Sequence, residues 1–198
     1  MRILALDVAT NTGWAIYDTA AHISAIECGV ITVSSQDSAA TAAMRDKRAA
    51  FDEEVTRLHN RSRPDLVVIE SPLAYIKDNR GARRAPLLAG AVAAEDASGG
   101  GPNARAVLLL NQLFAIAETI ARHKAGRVIE VRPQSWQKIM PKTADDTKRR
   151  SLQFCHVLRI ALPEKGSREL RANAADAAVI AIWAARHSQE AKYRDRAA

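Results

Sequence analysis

At 198 residues the chain is long enough to bury a sizeable core and is expected to form one domain. Its 47% apolar and 26% charged residues exclude a disordered chain, and its longest apolar run is far short of a transmembrane span. A net charge of +7, with a pI near 9.8, points to a polyanionic partner, plain solubility being the competing explanation.

The first element is a strand over Ile3–Val8, apolar on both alternating sets except for Asp7, as suits a strand buried in mid-sheet. Thr10-Asn11-Thr12-Gly13 supplies turn chemistry, with Gly13 free to take a positive φ, and Trp14–Tyr17 restarts a strand in an antiparallel hairpin. Ile23–Val33 reads as a third strand. Ser38 is a candidate cap for a helix from about Ala39 to Asn60, with Ala43, Phe51, Val55 and Leu58 on its inner side. After Arg63-Pro64, Asp65–Glu70 is a second strand of the buried type and again ends on a carboxylate.

Residues 71–105 differ in character. They hold Gly81, Gly90, Gly99-Gly100-Gly101 and the basic Arg80, Arg83 and Arg84, and read as an insertion, expected to be mobile, with a short helix over Leu87–Ala94. Ala104–His123 is an amphipathic helix with Leu109, Leu113, Ile116, Ala117 and Ile120 spaced for burial, and Gly126 follows its end. Arg127–Arg132 is a short strand, and Pro133–Lys138 starts a turn or short helix. Asp145 or Asp146 caps a helix running through Leu158, and the last helix spans about Glu169–Arg186. Three strands, then strands alternating with helices, predict an α/β fold: an antiparallel meander extended by parallel strands into a mixed sheet flanked by helices. Cys28 and Cys155 lie singly in apolar segments, as core residues of a reducing compartment do, and the N-terminus lacks a signal-peptide pattern, so a cytoplasmic protein is expected.

Asp7 and Glu70 both fall at the carboxyl ends of buried strands, the edge where α/β sheets bind ligands. If the two strands are neighbours, like charges converge and repel unless a cation or a shared proton intervenes. The bland alternative makes Asp7 a cap of the turn that follows it. Asp176 is the only charge in Asn173–Trp183, a run otherwise of alanine, valine, isoleucine and tryptophan, and Asn173, Asp176, Ile180 and Trp183 share one helical face. Its alternatives are partial exposure or pairing with an arginine. Three carboxylates and an amide oxygen, without His or Cys, favour Mg²⁺ or Mn²⁺ over zinc. Two such ions about 4 Å apart suit phosphodiester cleavage by an activated water.

Leu4-Ala5-Leu6-Asp7 through Gly13-Trp14-Ala15, Leu66–Glu70, Val131-Arg132-Pro133-Gln134-Ser135-Trp136-Gln137-Lys138 and Asn173-Ala174-Ala175-Asp176-Ala177 occur in the order and spacing of RuvC-type Holliday-junction resolvases. Over nearly its whole length the chain resembles this branch of the ribonuclease H-like superfamily, its phage-related members included. The resemblance implies a ribonuclease H-like fold and a homodimeric, Mg²⁺-dependent endonuclease that nicks two opposing strands of a four-way junction. It puts the family's acids on Asp7, Glu70 and Asp176. Asn173 departs from the usual Asp or His; an amide ligates through its oxygen but brings no charge. The family's junction wedge would fall on Tyr75 or Leu73, in a segment longer here than in compact members.

From Arg132 to Arg171 ten Lys/Arg face four Asp/Glu, which supports a phosphate-contacting surface. Lys138, Lys142, Lys148 and Arg149 are the candidate contacts there, with Arg83 and Arg84 in the insertion; a solvated helix face is the competing reading. The resemblance leaves a partner helicase unspecified. Rival functions are an actin- or sugar-kinase-like ATPase, whose phosphate loop Val8–Gly13 matches only in half, a non-catalytic junction binder, and a nuclease for flaps or RNA–DNA hybrids.

Overall fold

The computed structural model describes residues 1–33, 40–71, 75–76, 85–86, 104–125, 127–143 and 145–196. In chain order these form β1 (Arg2–Asp7), β2 (Asn11–Asp18), β3 (Glu27–Thr32), α1 (Ala40–Ser62), β4 (Leu66–Glu70), β5 (Tyr75–Ile76), β6 (Ala85–Pro86), α2 (Ala104–Lys124), β7 (Val128–Val131), α3 (Pro133–Trp136), α4 (Thr147–Val157) and α5 (Arg168–Arg196). The main sheet has the order β3-β2-β1-β4-β7, with β1–β2 and β2–β3 antiparallel and β1–β4 and β4–β7 parallel. This is the expected mixed sheet. No described helix is long and apolar enough to cross a membrane.

Strand alternation explains the layering. Ile3, Ala5, Leu66 and Val68 point to one face and pack with Ala175, Ala178, Val179 and Ile182 of α5 and Cys155 of α4. Leu4, Leu6, Val67 and Ile69 point to the other and pack with Phe51, Val55 and Leu58 of α1 and Leu109, Leu113 and Ala117 of α2. The central strands are apolar throughout because both faces are covered.

Several local expectations are corrected. The segment from Ile23 opens as a 3₁₀ turn, Ile23–Ala25, because His22 Nδ1 accepts from the Ser24 N–H (3.2 Å); the strand starts only at Glu27. Gly13 lies inside β2 and is not among the positive-φ glycines; its lack of a side chain serves close packing. The turn before it is closed by Thr12, whose hydroxyl donates to Ala9 O (2.6 Å) and accepts from Ala9 N–H (3.1 Å). Asp146 is the cap of α4, accepting from Arg149 N–H at 2.8 Å. The last helix runs on to Arg196.

The turn after α3 is tied to α4 by one side chain. Arg150 donates to the carbonyls of Pro141 (3.0 Å), Gln137 (3.2 Å) and Met140 (3.4 Å), satisfying groups that the short helices there leave open. Ser38, Leu73, Arg83, Arg84, Leu87–Ala94 and Gly126 lie outside the described residues. Of the expected insertion, only Ser71, the two-residue pair β5–β6 and the first residues of α2 are described.

Candidate active site

The register of the sheet brings the first two acids together. In the parallel β1–β4 pair Leu6 lies opposite Ile69, so Asp7 and Glu70, the next residues, end neighbouring strands side by side. On its other side Asp7 faces Gly13, and Glu70 faces Val131. By alternation Asp7 follows Ile3 and Ala5, and Glu70 follows Leu66 and Val68, so both belong to the face that α5 covers.

The third acid arrives on that helix, at a point where it comes unusually close to the sheet. A Cβ on Gly13 would lie 1.9 Å from the Asn173 carbonyl oxygen and 2.6 Å from its carbon. Asn173 Nδ2 donates to Asn11 O at 2.8 Å, a second tie between α5 and β2. Ala174, Ala175, Ala177 and Ala178 are all fully buried, small enough to allow this approach. Asp176 is 6% exposed and accepts a hydrogen bond from the fully buried Ser151 of α4. Ser151 Oγ also lies 3.1 Å from Thr147 O, the alternative acceptor for its one hydrogen. Asp176 is therefore not exposed, and it has no arginine partner among the described residues. Asp7 does not cap its turn, a task that Thr12 performs.

The electrostatics are those of crowded acids. Burial raises the Glu70 carboxyl far above its usual range; the charge and hydrogen bond of Asp7 and the charge of Asp176 raise it further, and the Trp136 indole opposes them. Burial also raises Asp7, against the Glu70 hydrogen bond and the Lys148 charge. A proton shared between Asp7 and Glu70 would relieve their repulsion. Asp176 is pushed up to about 7, by burial and then by Asp7, against the Ser151 hydrogen bond and the Lys148 charge. Trp136, 2% exposed, makes no hydrogen bond of good geometry through Nε1, although it lies near enough to Glu70 to favour the carboxylate.

Among the described residues no three His, Cys, Asp or Glu side chains are grouped tightly enough to enclose an ion. Asp7 and Glu70 lie near enough to share a hydrogen bond when one is protonated, and Asp176 bonds to Ser151. The donor set nonetheless suits a hard divalent cation: carboxylate oxygens, mutual repulsion that a cation would cancel, and Asn173 Oδ1, which has no hydrogen-bond donor among the described residues while the amide nitrogen serves Asn11.

That chemistry sets a pH dependence. A carboxyl whose pKa folding raises binds more protons folded than unfolded above its ordinary pKa, so stability falls as pH rises. In chelator, the thermal midpoint is expected to fall between about pH 4 and 7 as Asp176 ionises, and to keep falling above that through Glu70. Saturating Mg²⁺ or Mn²⁺ should raise the midpoint by about 5–10 °C at pH 8 and by much less at pH 5, where protons compete. Calorimetric scans with and without metal check this; a metal effect independent of pH would contradict it.

The candidate phosphate contacts divide. Lys138 and Lys142 are exposed with no ion pair among the described residues. Lys148 pairs with Glu169 (3.2 Å) and Arg149 with Asp145 (3.1 Å), both at the surface. Such pairs contribute about 0–1 kcal/mol and are readily exchanged for phosphate. Tyr75 lies in β5, away from the main sheet's strand order; Leu73, Arg83 and Arg84 are outside the described residues. Ser151 and Trp136 are site residues that the carboxylate pattern did not reveal. The signal for Ser151 was a small polar residue one turn before Cys155 on the inner face of α4.

No protein-family model and no curated protein matches the sequence. Among solved structures, Thermus thermophilus RuvC in complex with a Holliday junction substrate superposes with a TM-score of 0.59 at 13% identity, over 94% of this chain and 96% of that one. The chain has the RuvC fold. A second Thermus thermophilus RuvC structure gives 0.57 at 14% identity, over 95% and 97% of the two chains. The yeast mitochondrial Holliday junction resolvase Ydc2 gives 0.58 at 14%, over 98% of this chain and 82% of that one. The RuvC fold is thus matched end to end, with a mixed sheet of the ribonuclease H-like kind.

Proposed function

We propose that the chain is a divalent-metal-dependent endonuclease that resolves four-way DNA junctions by paired symmetric nicks. What supports this reading is that Asp7 and Glu70 end neighbouring strands of a RuvC-like sheet, with Asp176 on α5 near enough for their charges to act on one another. Burying three carboxylates without compensation is costly, which favours a catalytic over a merely structural role. Asp7, Glu70 and Asp176, with Asn173 through Oδ1, would hold Mg²⁺ or Mn²⁺, in a pair. When bound, such ions activate water and stabilise the leaving oxygen in phosphodiester hydrolysis.

The chain's own residues supply the rest. Ser151 fixes one Asp176 oxygen and so the direction of the other. The indole of Trp136 favours the ionised form of Glu70 that a cation requires. Lys138, Lys142, Lys148 and Arg149 hold the phosphodiester backbone, with Arg83 and Arg84 from the insertion, while Leu73 or Tyr75 would wedge the junction centre. Paired nicks need two sites, hence a homodimer, for which α2 is the proposed contact; Leu108 on that helix is 50% exposed. The setting is the cytoplasm, on branched DNA.

A gel assay with four-way, flapped and linear duplex substrates tests the reading. The expected result is symmetric nicking of the four-way junction in Mg²⁺ or Mn²⁺ and none in chelator. Equal cutting of flap and linear DNA, or cutting in chelator, would overturn it.

A further inference from the structure

The first turn of α5, like that of α4 with Lys148, Arg149 and Arg150, carries cations at the end where the helix dipole disfavours them. α1 ends with His59 and Arg61, and α2 with Arg122, His123 and Lys124, cations where the helix dipole favours them. α5 instead begins with Arg168, and Arg171 follows one turn on, at the end where the dipole disfavours cations. Glu169, the acid of that turn, is engaged by Lys148 at 3.2 Å. Among the described residues no carboxylate pairs with Arg168, Arg171 or the nearby His156. Local helix stability therefore does not account for the two arginines.

They line a cavity of about 330 Å³ together with His156, Leu152, Ile160 and Leu162. Its polar lining is entirely basic or imidazole, and its apolar lining is aliphatic. The volume falls near the lower end for small-ligand sites, roughly 300–1,000 Å³. An occupant that matches both parts has an anionic group and a compact body with apolar faces. The location narrows it further. Arg171 and Arg168 stand five and eight residues before Asp176 on one straight helix, about 7.5 and 12 Å along its axis. Leu152 adjoins Ser151, which bonds Asp176. The cavity thus sits between the same two helices, α4 and α5, that carry Ser151 and Asp176.

We propose that this cavity takes one unpaired nucleotide of the DNA strand being cut, its phosphate between Arg168 and Arg171 and its base against Leu152, Ile160 and Leu162. The inference rests on the nuclease reading and adds the substrate class: DNA with an unpaired or extrudable nucleotide beside the scissile phosphate. A base within an intact duplex is stacked and paired and cannot enter a side pocket.

The test uses the full chain with four-way junctions in which each nucleotide flanking the scissile phosphate is replaced in turn by an abasic residue. Binding is measured across a salt series in Ca²⁺, and cutting in Mg²⁺. One abasic position is expected to weaken wild-type binding by about tenfold. Replacing both arginines, as Arg168→Ala with Arg171→Ala, should lower the salt slope by about one, for the one phosphate they share, and make that same position neutral. Both side chains are exposed, and a circular dichroism melt verifies folding. An unchanged slope, or abasic positions that are all neutral in the wild type, overturns the inference; a protein that still cuts would then keep the nuclease reading, with an acidic protein partner the remaining use for this face. A wild type that neither binds nor cuts the junction overturns both.

Discussion

Replacing Asp7 by Asn is expected to reduce junction cleavage by at least ~10²-fold, beyond the range seen for outer-shell partners of metal ligands, while junction binding stays within about threefold. The substitution keeps the shape at the end of β1 and removes a charge that burial and its neighbours make costly. The same variant should therefore be as stable as the wild type in chelator, or more so, and should lose most of the stabilisation that divalent ions give. This opposition of activity and stability is characteristic of a site that holds like charges together for function. A single-turnover gel assay, a binding titration and a melt measure the three quantities. Cleavage above about 1% of wild type would remove Asp7 from the catalytic set, on the scale just given.

Among the described glycines, Gly13→Ala should be the most damaging change. The added methyl would sit on the Asn173 backbone, which cannot rotate away as a side chain could. α5 would have to lift from β2, breaking the 2.8 Å bond from Asn173 to Asn11 and moving Asp176 from Asp7 and Glu70. A loss of about 3 kcal/mol or more is expected, at the upper end for overpacking, which for this length lowers the midpoint by about 6–12 °C. Gly29→Ala is the comparison. Its Cβ meets the ring of Trp14 at 2.6–2.9 Å, a side chain on the cross-strand partner that can shift, so the loss should be clearly smaller. A Gly13→Ala protein with wild-type melting and cleavage would contradict the close approach of α5.

What the sequence disclosed follows from which signals are local. β1 and β4 were legible because a strand covered on both faces must be apolar at every position, which leaves its terminal carboxylate conspicuous. Asp176 stood out as a lone charge in an alanine-rich helix, and the ordered motifs together indicated the fold. The start of β3 was not legible, because a single His22–Ser24 bond diverts the backbone before the strand begins. Gly13 was read for conformational freedom when its reason is contact with a helix 160 residues later in the chain, which no local pattern encodes. Ser151 and Trp136 escaped notice for the same reason: each matters through one tertiary neighbour. Lys148 and Arg149 were legible as cations, though not as members of surface pairs with Glu169 and Asp145.

Arg150 has a mechanical consequence. Because its guanidinium pins the carbonyls of Gln137, Met140 and Pro141, the segment bearing Lys138 and Lys142 cannot shift without α4. α4 in turn holds Asp176 through Ser151. A strand gripped at those two lysines is thereby indexed to the acids, like work held in a jig fixed to the same bench as the blade.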